Sequence, residues 1–426
     1  MNMKFVLLSG FIMVLMITSV LAAGTSIAVK PQLNEKVQVI VVFKGKPDLA
    51  LIKQHQGVVK HIYKIIPGIA SVLPLKAVEA LKKNPKIAYI EKDIIVGKPP
   101  WAGKDKEKEQ PPETLEWGVD RIDADLVWDV NHDLTVDEGA NTGEAIKVAI
   151  LDTGIDKDHP DLQANIKGGV NFVSKPWWKE PNPDKWDDDN GHGTYCAGIV
   201  AAVDNNIGVI GVAPKVLLYA VKVLDRTGSG YLSDVIAGID WCVENDMQVI
   251  SMSLGKSEYS QSLKDACDNA YAKGLILVAA AGNDGDGDPA TNEVLYPAKY
   301  SSVIAVAATD INDNTPTWSA EGEEVELVAP GVDVRSTWKD GTYETHSGTS
   351  AACPHVSGTV ALILASNETI WQELGYTDGD GVWANDEVRA VLQNTADDLG
   401  NPGFDNFYGY GLVDAEESVT GTEASS

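Results

Sequence analysis

Three residues of this chain have the types and settings needed for acyl transfer. Ser350 lies in Gly348-Thr349-Ser350-Ala351-Ala352-Cys353-Pro354-His355, followed by an apolar helical pattern over 356–365. A small, Gly-flanked serine opening a helix presents its hydroxyl beside unpaired backbone N–H groups and the positive end of the helix dipole. The ordinary alternative is a helix N-cap. Asp152 ends the apolar run Val148-Ala149-Ile150-Leu151, which reads as a buried parallel strand. A carboxylate at the carboxyl end of such a strand faces the crevice where open α/β sheets bind ligands; a turn Asp is the local alternative. His192 sits between Gly191 and Gly193, and Thr194 opens an apolar helix over 195–202. A serine hydroxyl is a poor nucleophile until a base takes its proton. Neutral imidazole does so near neutral pH and later protonates the leaving amine, and a buried carboxylate fixes its tautomer.

These side chains require a scaffold that brings strand ends and helix starts together. Apolar runs at 217–223, 249–252, 275–280 and 303–308 alternate with helical stretches. That order predicts a three-layer α/β/α domain with a mainly parallel sheet, and 350–366 as a buried helix.

With the segments Asp152-Thr153-Gly154-Ile155-Asp156, His159-Pro160-Asp161-Leu162, Gly191-His192-Gly193-Thr194 and Gly348-Thr349-Ser350 in the chain order Asp, His, Ser, the sequence resembles the subtilisin-like serine proteases over most of its length. Within the family it is most similar to secreted members from thermophilic archaea. The resemblance implies a secreted serine endopeptidase with Asp152, His192 and Ser350 as the triad. Asn283, in Ala281-Gly282-Asn283 after the 275–280 strand, would donate to the oxyanion together with the Ser350 backbone N–H. Gly228-Ser229-Gly230 and Ser253-Leu254-Gly255 would flank an extended peptide and pair with its backbone, as in β-augmentation. Leu295 stands where the family usually has a small residue at the base of the specificity pocket, which implies a shallow pocket for small or medium apolar residues. Ala351 replaces the Met that commonly follows the nucleophile, so the site should resist peroxide.

The 426-residue chain exceeds one ordinary domain. Residues 1–23 have the charged start, apolar run and small-residue exit of a secretory signal peptide; a membrane anchor is the alternative. Residues 24–96 show strands at 37–43, 58–66, 69–73 and 87–91 and helices at 48–55 and 75–83. This is a ferredoxin-like α+β pattern, and it resembles the family's inhibitory propeptide. Residues 97–114 read as a linker and mature N-terminus, with 97–112 exposed, and 115–426 as the catalytic domain. Residues 1–96 hold 13 Lys and no Arg against 5 acidic residues, a net +8; the whole chain carries −28, which leaves −36 on 97–426. Opposite charge suits the propeptide to act as a clamp and folding template, and an acidic enzyme repels nucleic acid. Cleavage is expected after Val96, before Gly97, or a little later. A monomer acting on peptides, with no membrane contact after signal removal, completes the expectation.

Carboxylates and amides point to calcium as the metal. By resemblance, Asp161 and Asn205 bind through side chains and Val203, Ile207 and Val209 through carbonyls, with Glu113 or Gln110 as an N-terminal ligand. Asp129, Asn131 and Asp133 have the spacing that opens an EF-hand loop, followed by Asp137 and Glu138. However, Leu134 occupies the glycine position and the twelfth-position glutamate is missing. Asp284, Asp286 and Asp288, Asp378, Asp380 and Asp386, and Asp187, Asp188 and Asp189 are further acidic groups for which turn chemistry is the alternative. Four cysteines in an exported protein suggest disulfides, and by the expected fold Cys242 would pair with Cys267 and Cys196 with Cys353. A buried free thiol is the alternative for Cys196. Two rival functions remain. A silent peptide-binding protein of the same fold is disfavoured by the intact triad and Asn283. An enzyme with a carboxylate base is disfavoured by His192 in its full motif.

Overall fold

The structure, a computed structural model, describes residues 35–99, 102–107 (as backbone), 110–174 and 180–422. The expected signal segment 1–23 lies outside them. The N-terminal module runs β1 (Lys36–Phe43), α1 (Leu49–Gln54), β2 (Val58–Ile62), β3 (Gly68–Pro74), α2 (Leu75–Leu81) and β4 (Ile87–Lys92). Its sheet order is β2-β3-β1-β4, antiparallel throughout, matching the expected α+β pattern. Val39, Val41, Ile69 and Leu73 form its core with Val78 and Leu81 of α2. Asp48 opens α1, accepting the Leu51 N–H at 3.0 Å.

Two strands follow, β5 (Ile95–Gly97) and β6 (Ala102–Glu107), then the short helices α3 (Trp117–Arg121) and α4 (Ala124–Trp128). The main domain continues through β7 (Lys147–Asp152), β8 (Ile166–Asn171), α5 (His192–Ala201), β9 (Leu217–Lys222), β10 (Ser229–Tyr231), α6 (Leu232–Glu244), β11 (Val249–Met252) and α7 (Gln261–Tyr271). It ends with β12 (Ile276–Ala280), β13 (Ile304–Thr309), β14 (Val325–Pro330), β15 (Val334–Trp338), β16 (Thr342–Ser347), α8 (Thr349–Ala365), α9 (Thr369–Leu374), α10 (Asn385–Asn394) and α11 (Ala415–Thr420). Seven strands form one parallel sheet in the order β14-β13-β12-β11-β7-β9-β8. The apolar β7, β11 and β12 lie in its middle because both of their faces are covered by helices. Every residue of α5, and every residue of α8 from Thr349 to Ile363, is buried. Neither has a polar face, so both pack inside the domain against each other.

The segment expected as an exposed linker is partly paired. β5 adds antiparallel to β10, and β6 adds to β16. β6 is the edge strand of its three-stranded sheet, held by backbone bonds that do not depend on side-chain polarity.

Candidate active site

Asp152 ends β7, one of the central strands, and His192 is the first residue of α5. His192 Nδ1 lies 2.8 Å from both Asp152 carboxylate oxygens, and both residues are buried. Two acceptor oxygens facing Nδ1 fix the imidazole proton there and leave Nε2 as the basic nitrogen. Gly193 permits this closeness: a Cβ there would stand 2.1 Å from the Gly154 carbonyl oxygen. Gly191, the N-cap, has φ 118°, and a Cβ would strike Trp338.

Ser350 is the second residue of α8, after the N-cap Gly348. Its buried Oγ has no hydrogen-bond partner among the described residues. Its carbonyl accepts from Ser253 Oγ at 3.0 Å and from the Cys196 thiol at 3.5 Å, which ties α8 to the segment after β11 and to α5. Asn283 lies beside this helix start. Its Oδ1 accepts the Thr349 N–H at 2.9 Å and the Thr349 hydroxyl at 2.8 Å. A backbone N–H can only meet the oxygen of the amide, so the Asn283 orientation is fixed and its NH₂ is the end turned away from Thr349.

Residues outside the expected set hold the site in place. The Asp188 carboxylate accepts from the Thr153 hydroxyl, the backbone N–H of Asn190 and Gly191, and both the N–H and hydroxyl of Thr194. It thus joins the loop after Asp152 to the start of α5. Lys222, buried at the end of β9 beside Asp152, donates to the Thr153 carbonyl and to Asp189 at 2.7 Å. In sequence Asp188 reads as part of an acidic group, with turn chemistry as the alternative, and its place just before the His192 motif is the one local signal of the role it plays.

The uncut chain occupies the cleft. Val96 pairs with Gly230, Gly97 lies opposite both Ser229 and Gly255, and the Lys98 N–H donates to the Gly228 carbonyl at 3.0 Å. The expected binding segments Gly228-Ser229-Gly230 and Ser253-Leu254-Gly255 therefore flank this strand, with Gly255 N–H donating to the Gly97 carbonyl at 2.9 Å. Val96 is 1% exposed within an apolar cluster that includes Leu224, Leu232 and Leu254. The Lys98 side chain crosses Gly228 and feels the charges of Asp152 and Asp188, although burial lowers its pKa. In this register the residue lying towards the Asp152–His192 pair is Lys98. Leu295 is buried and fills the space against Gly255 and Gly282.

The N-terminal module is clamped by its carboxylates and lysines. Glu91 accepts the Gln261 N–H and the Ser260 hydroxyl at the start of α7, and Asp93 accepts the Ser233 N–H at the start of α6. Anions are favoured at helix N-termini. Lys60 and His61 meet Asp234 at 2.7 and 2.8 Å; Lys60 and Asp234 are almost wholly buried.

Asp161 is buried, and burial pushes its carboxyl up to about 7. Asn205 Nδ2, the Val209 N–H and the Tyr343 hydroxyl donate to it at 3.0, 3.1 and 3.2 Å. Tyr343 also donates to Gln110 Oε1, whereas Glu113 accepts the N–H groups of Asn205 and Asn206. Gln110 is thus the N-terminal residue that joins Asp161 through Tyr343. Asp161 is a buried carboxylate with no ion pair among the described residues, and a hard cation there would take the place of some of these hydrogen bonds, with Asn205 turning its oxygen inward.

Two expectations need correction. None of the cysteines is paired: Cys196, Cys242, Cys267 and Cys353 are all buried thiols. Cys196 bonds the Ser350 carbonyl, Cys353 contacts Ser251, and Cys242 and Cys267 pack as small apolar groups. At Asp129, Asn131 and Asp133 the hydrogen bonds are local. Both Asp129 oxygens accept backbone N–H groups, of Asp133 and Leu134, and Asn131 donates to Asp137. This is turn chemistry. Finally, Gly97, the 102–107 strand and Pro112 are paired rather than part of a free linker.

A buried Asp–His pair and a serine at the start of the helix packed against α5, set at strand and helix ends of a doubly covered parallel sheet, have the makings of an α/β serine hydrolase. The comparisons narrow the class. The subtilase family matches residues 143–411. The chain is 38% identical over 418 residues to subtilisin E of Bacillus subtilis, covering 98% of each chain. It is similarly 38% identical over 418 residues to subtilisin J of Geobacillus stearothermophilus, again 98% of each. It is 45% identical over 278 residues to a subtilisin of Bacillus pumilus, covering 65% of this chain and 92% of that one. The chain belongs to the subtilase family and is a serine endopeptidase.

Proposed function

We propose that the protein is a secreted endopeptidase made as a self-processing precursor, in which Ser350 attacks the scissile carbonyl. His192 Nε2 takes the Ser350 proton as the C–O bond forms and the carbonyl becomes a tetrahedral oxyanion. Asn283 NH₂ and the Ser350 backbone N–H receive that charge. Asp152 stabilises the imidazolium, which then gives its proton to the departing amine as the C–N bond breaks. Water hydrolyses the acyl-enzyme by the same steps. The observation that carries the proposal is His192 Nδ1 at 2.8 Å from both Asp152 oxygens, with the Ser350 Oγ on the adjoining helix start.

Residues 24–96 act as intramolecular inhibitor and folding template, supported by the Glu91 and Asp93 caps and the β5–β10 pairing. The cut falls after Val96 or a little later in the segment that lies in the cleft. Calcium is held by Asp161, Asn205 and the carbonyls of Val203, Ile207 and Val209, with Gln110, and supplies charge balance to this loop without entering the reaction. Export would rest on residues 1–23; no helix among the described residues is long and apolar enough to cross a membrane.

The test is incubation of the purified 24–426 precursor beside Ser350→Ala, followed by mass and caseinolytic activity. The wild type should cut near Val96 and gain activity while the variant stays whole. If both remain intact and inactive with and without calcium, a silent peptide-binding protein is the better account.

A further inference from the structure

A second carboxylate cluster lies apart from Asp152, His192 and Ser350. Asp286, Glu293 and Glu321 each bring one oxygen within 4.8 Å of the others. Glu321 is wholly buried. Its Oε1 accepts three backbone N–H groups, from Asp286 at 3.2 Å, Gly287 at 2.7 Å and Asp288 at 3.0 Å. Its Oε2 is buried with no hydrogen-bond partner, and Glu293 Oε2 is in the same condition. Asp286 Oδ1 is fixed by the Asp288 N–H at 2.9 Å and the Thr291 hydroxyl at 3.1 Å. Lys299, in the same region, pairs with Glu324 at 3.8 Å rather than with this group.

Two buried carboxylate oxygens without partners among the described residues, in a cluster of three carboxylates, are costly to keep ionised. An ion or a proton must satisfy them. The donor set holds oxygen only and runs from the buried Glu321 to the exposed Asp286, which suits a hard divalent cation of the calcium class. We propose that Asp286, Glu293 and Glu321 form a calcium site separate from the Asp161 site.

Its place gives it a consequence. Asp286 and Glu293 belong to the loop that begins at Asn283 and ends at Leu295. Glu321 belongs to the segment on which that loop rests, through Gly285 N–H to the Trp318 carbonyl at 3.1 Å and Glu293 N–H to the Glu321 carbonyl at 3.2 Å. An ion here staples the loop that carries the Asn283 amide and Leu295. The catalytic consequence rests on the proposed roles of those two residues; the site itself does not.

The test counts ions. The full precursor bearing Ser350→Ala, which cannot process itself, is titrated with calcium in a calorimeter and by equilibrium dialysis. Glu321→Gln and Asp286→Asn, each added to that background, should bind one calcium fewer per chain. Asp161→Asn should remove a different ion, so that Asp161→Asn with Asp286→Asn loses two. An unchanged count in a folded Asp286→Asn protein overturns the proposal and leaves a protonated Glu321 as the way the cluster is satisfied. Asp286 is exposed, so it decides the question where Glu321→Gln fails to fold by circular dichroism. No step of this count depends on proteolysis.

Discussion

Asp188 Oδ2 accepts both the backbone N–H and the hydroxyl of Thr194, at 3.0 and 2.6 Å, while its Oδ1 accepts the Thr153 hydroxyl at 2.9 Å. One loop carboxylate thus fixes the spacing between the residue after Asp152 and the first turn of the helix that starts at His192. Asp188→Ala should lower kcat by roughly 10- to 100-fold through misplacement of His192, with KM nearly unchanged. Asp188→Asn keeps only part of the acceptor set and should fall between. Equal kcat in the alanine variant would contradict this positioning role.

Asn283 is oriented by Thr349, so its NH₂ is the end left over for a substrate oxygen. Asn283→Ala should cost about 100- to 1000-fold in kcat, and Thr349→Val should show a smaller loss because it removes the hydroxyl donor but leaves the Thr349 N–H on the Asn283 oxygen. Steady-state kinetics on a peptide anilide separates the two; a change in KM alone would argue that Asn283 only binds.

The sequence made much of this readable. β7, β11 and β12 were visible because strands covered on both faces are continuous apolar runs, and α8 because it has no polar face. β8, with the sequence IKGGVN, carries two glycines and little apolar pattern, so nothing local marks it as a strand. β6 depends on backbone pairing with β16, which side-chain polarity does not report. Asp188 could not be read because its partners Thr153 and Thr194 come from different elements. The cysteines show the reverse error: helices that are neighbours bring thiols into one core without making them a pair.

Propeptide docking should depend on pH through Asp93. Burial raises its carboxyl from 3.8 to about 6 when docked against α6. A raised pKa means that docking takes up a proton, so the contribution is full below the undocked value and is lost as pH rises through about 6. Binding of the separate propeptide to the mature Ser350→Ala enzyme should weaken over that window. In Asp93→Asn, which keeps the acceptor for Ser233, this part of the dependence should vanish; a variant with the full parental slope would contradict the assignment.

Calcium removal should destabilise the mature enzyme. Calcium about 100-fold above its Kd stabilises a site by about 2.7 kcal/mol. Chelation should therefore lower the Tm of the wild type, and Asp161→Asn should start lower and respond less to chelator. Scanning calorimetry with and without chelator checks this, and an equal drop in both proteins would move the stabilising ion elsewhere.

The most direct test of the central claim is covalent trapping. The processed enzyme is treated with a fluorophosphonate, digested and mapped by mass spectrometry. One adduct on the peptide containing Ser350 is expected, with loss of activity in parallel and with labelling strongly reduced in His192→Ala. An active enzyme that carries no adduct, or carries it on another residue, would contradict the assignment of Ser350 as nucleophile.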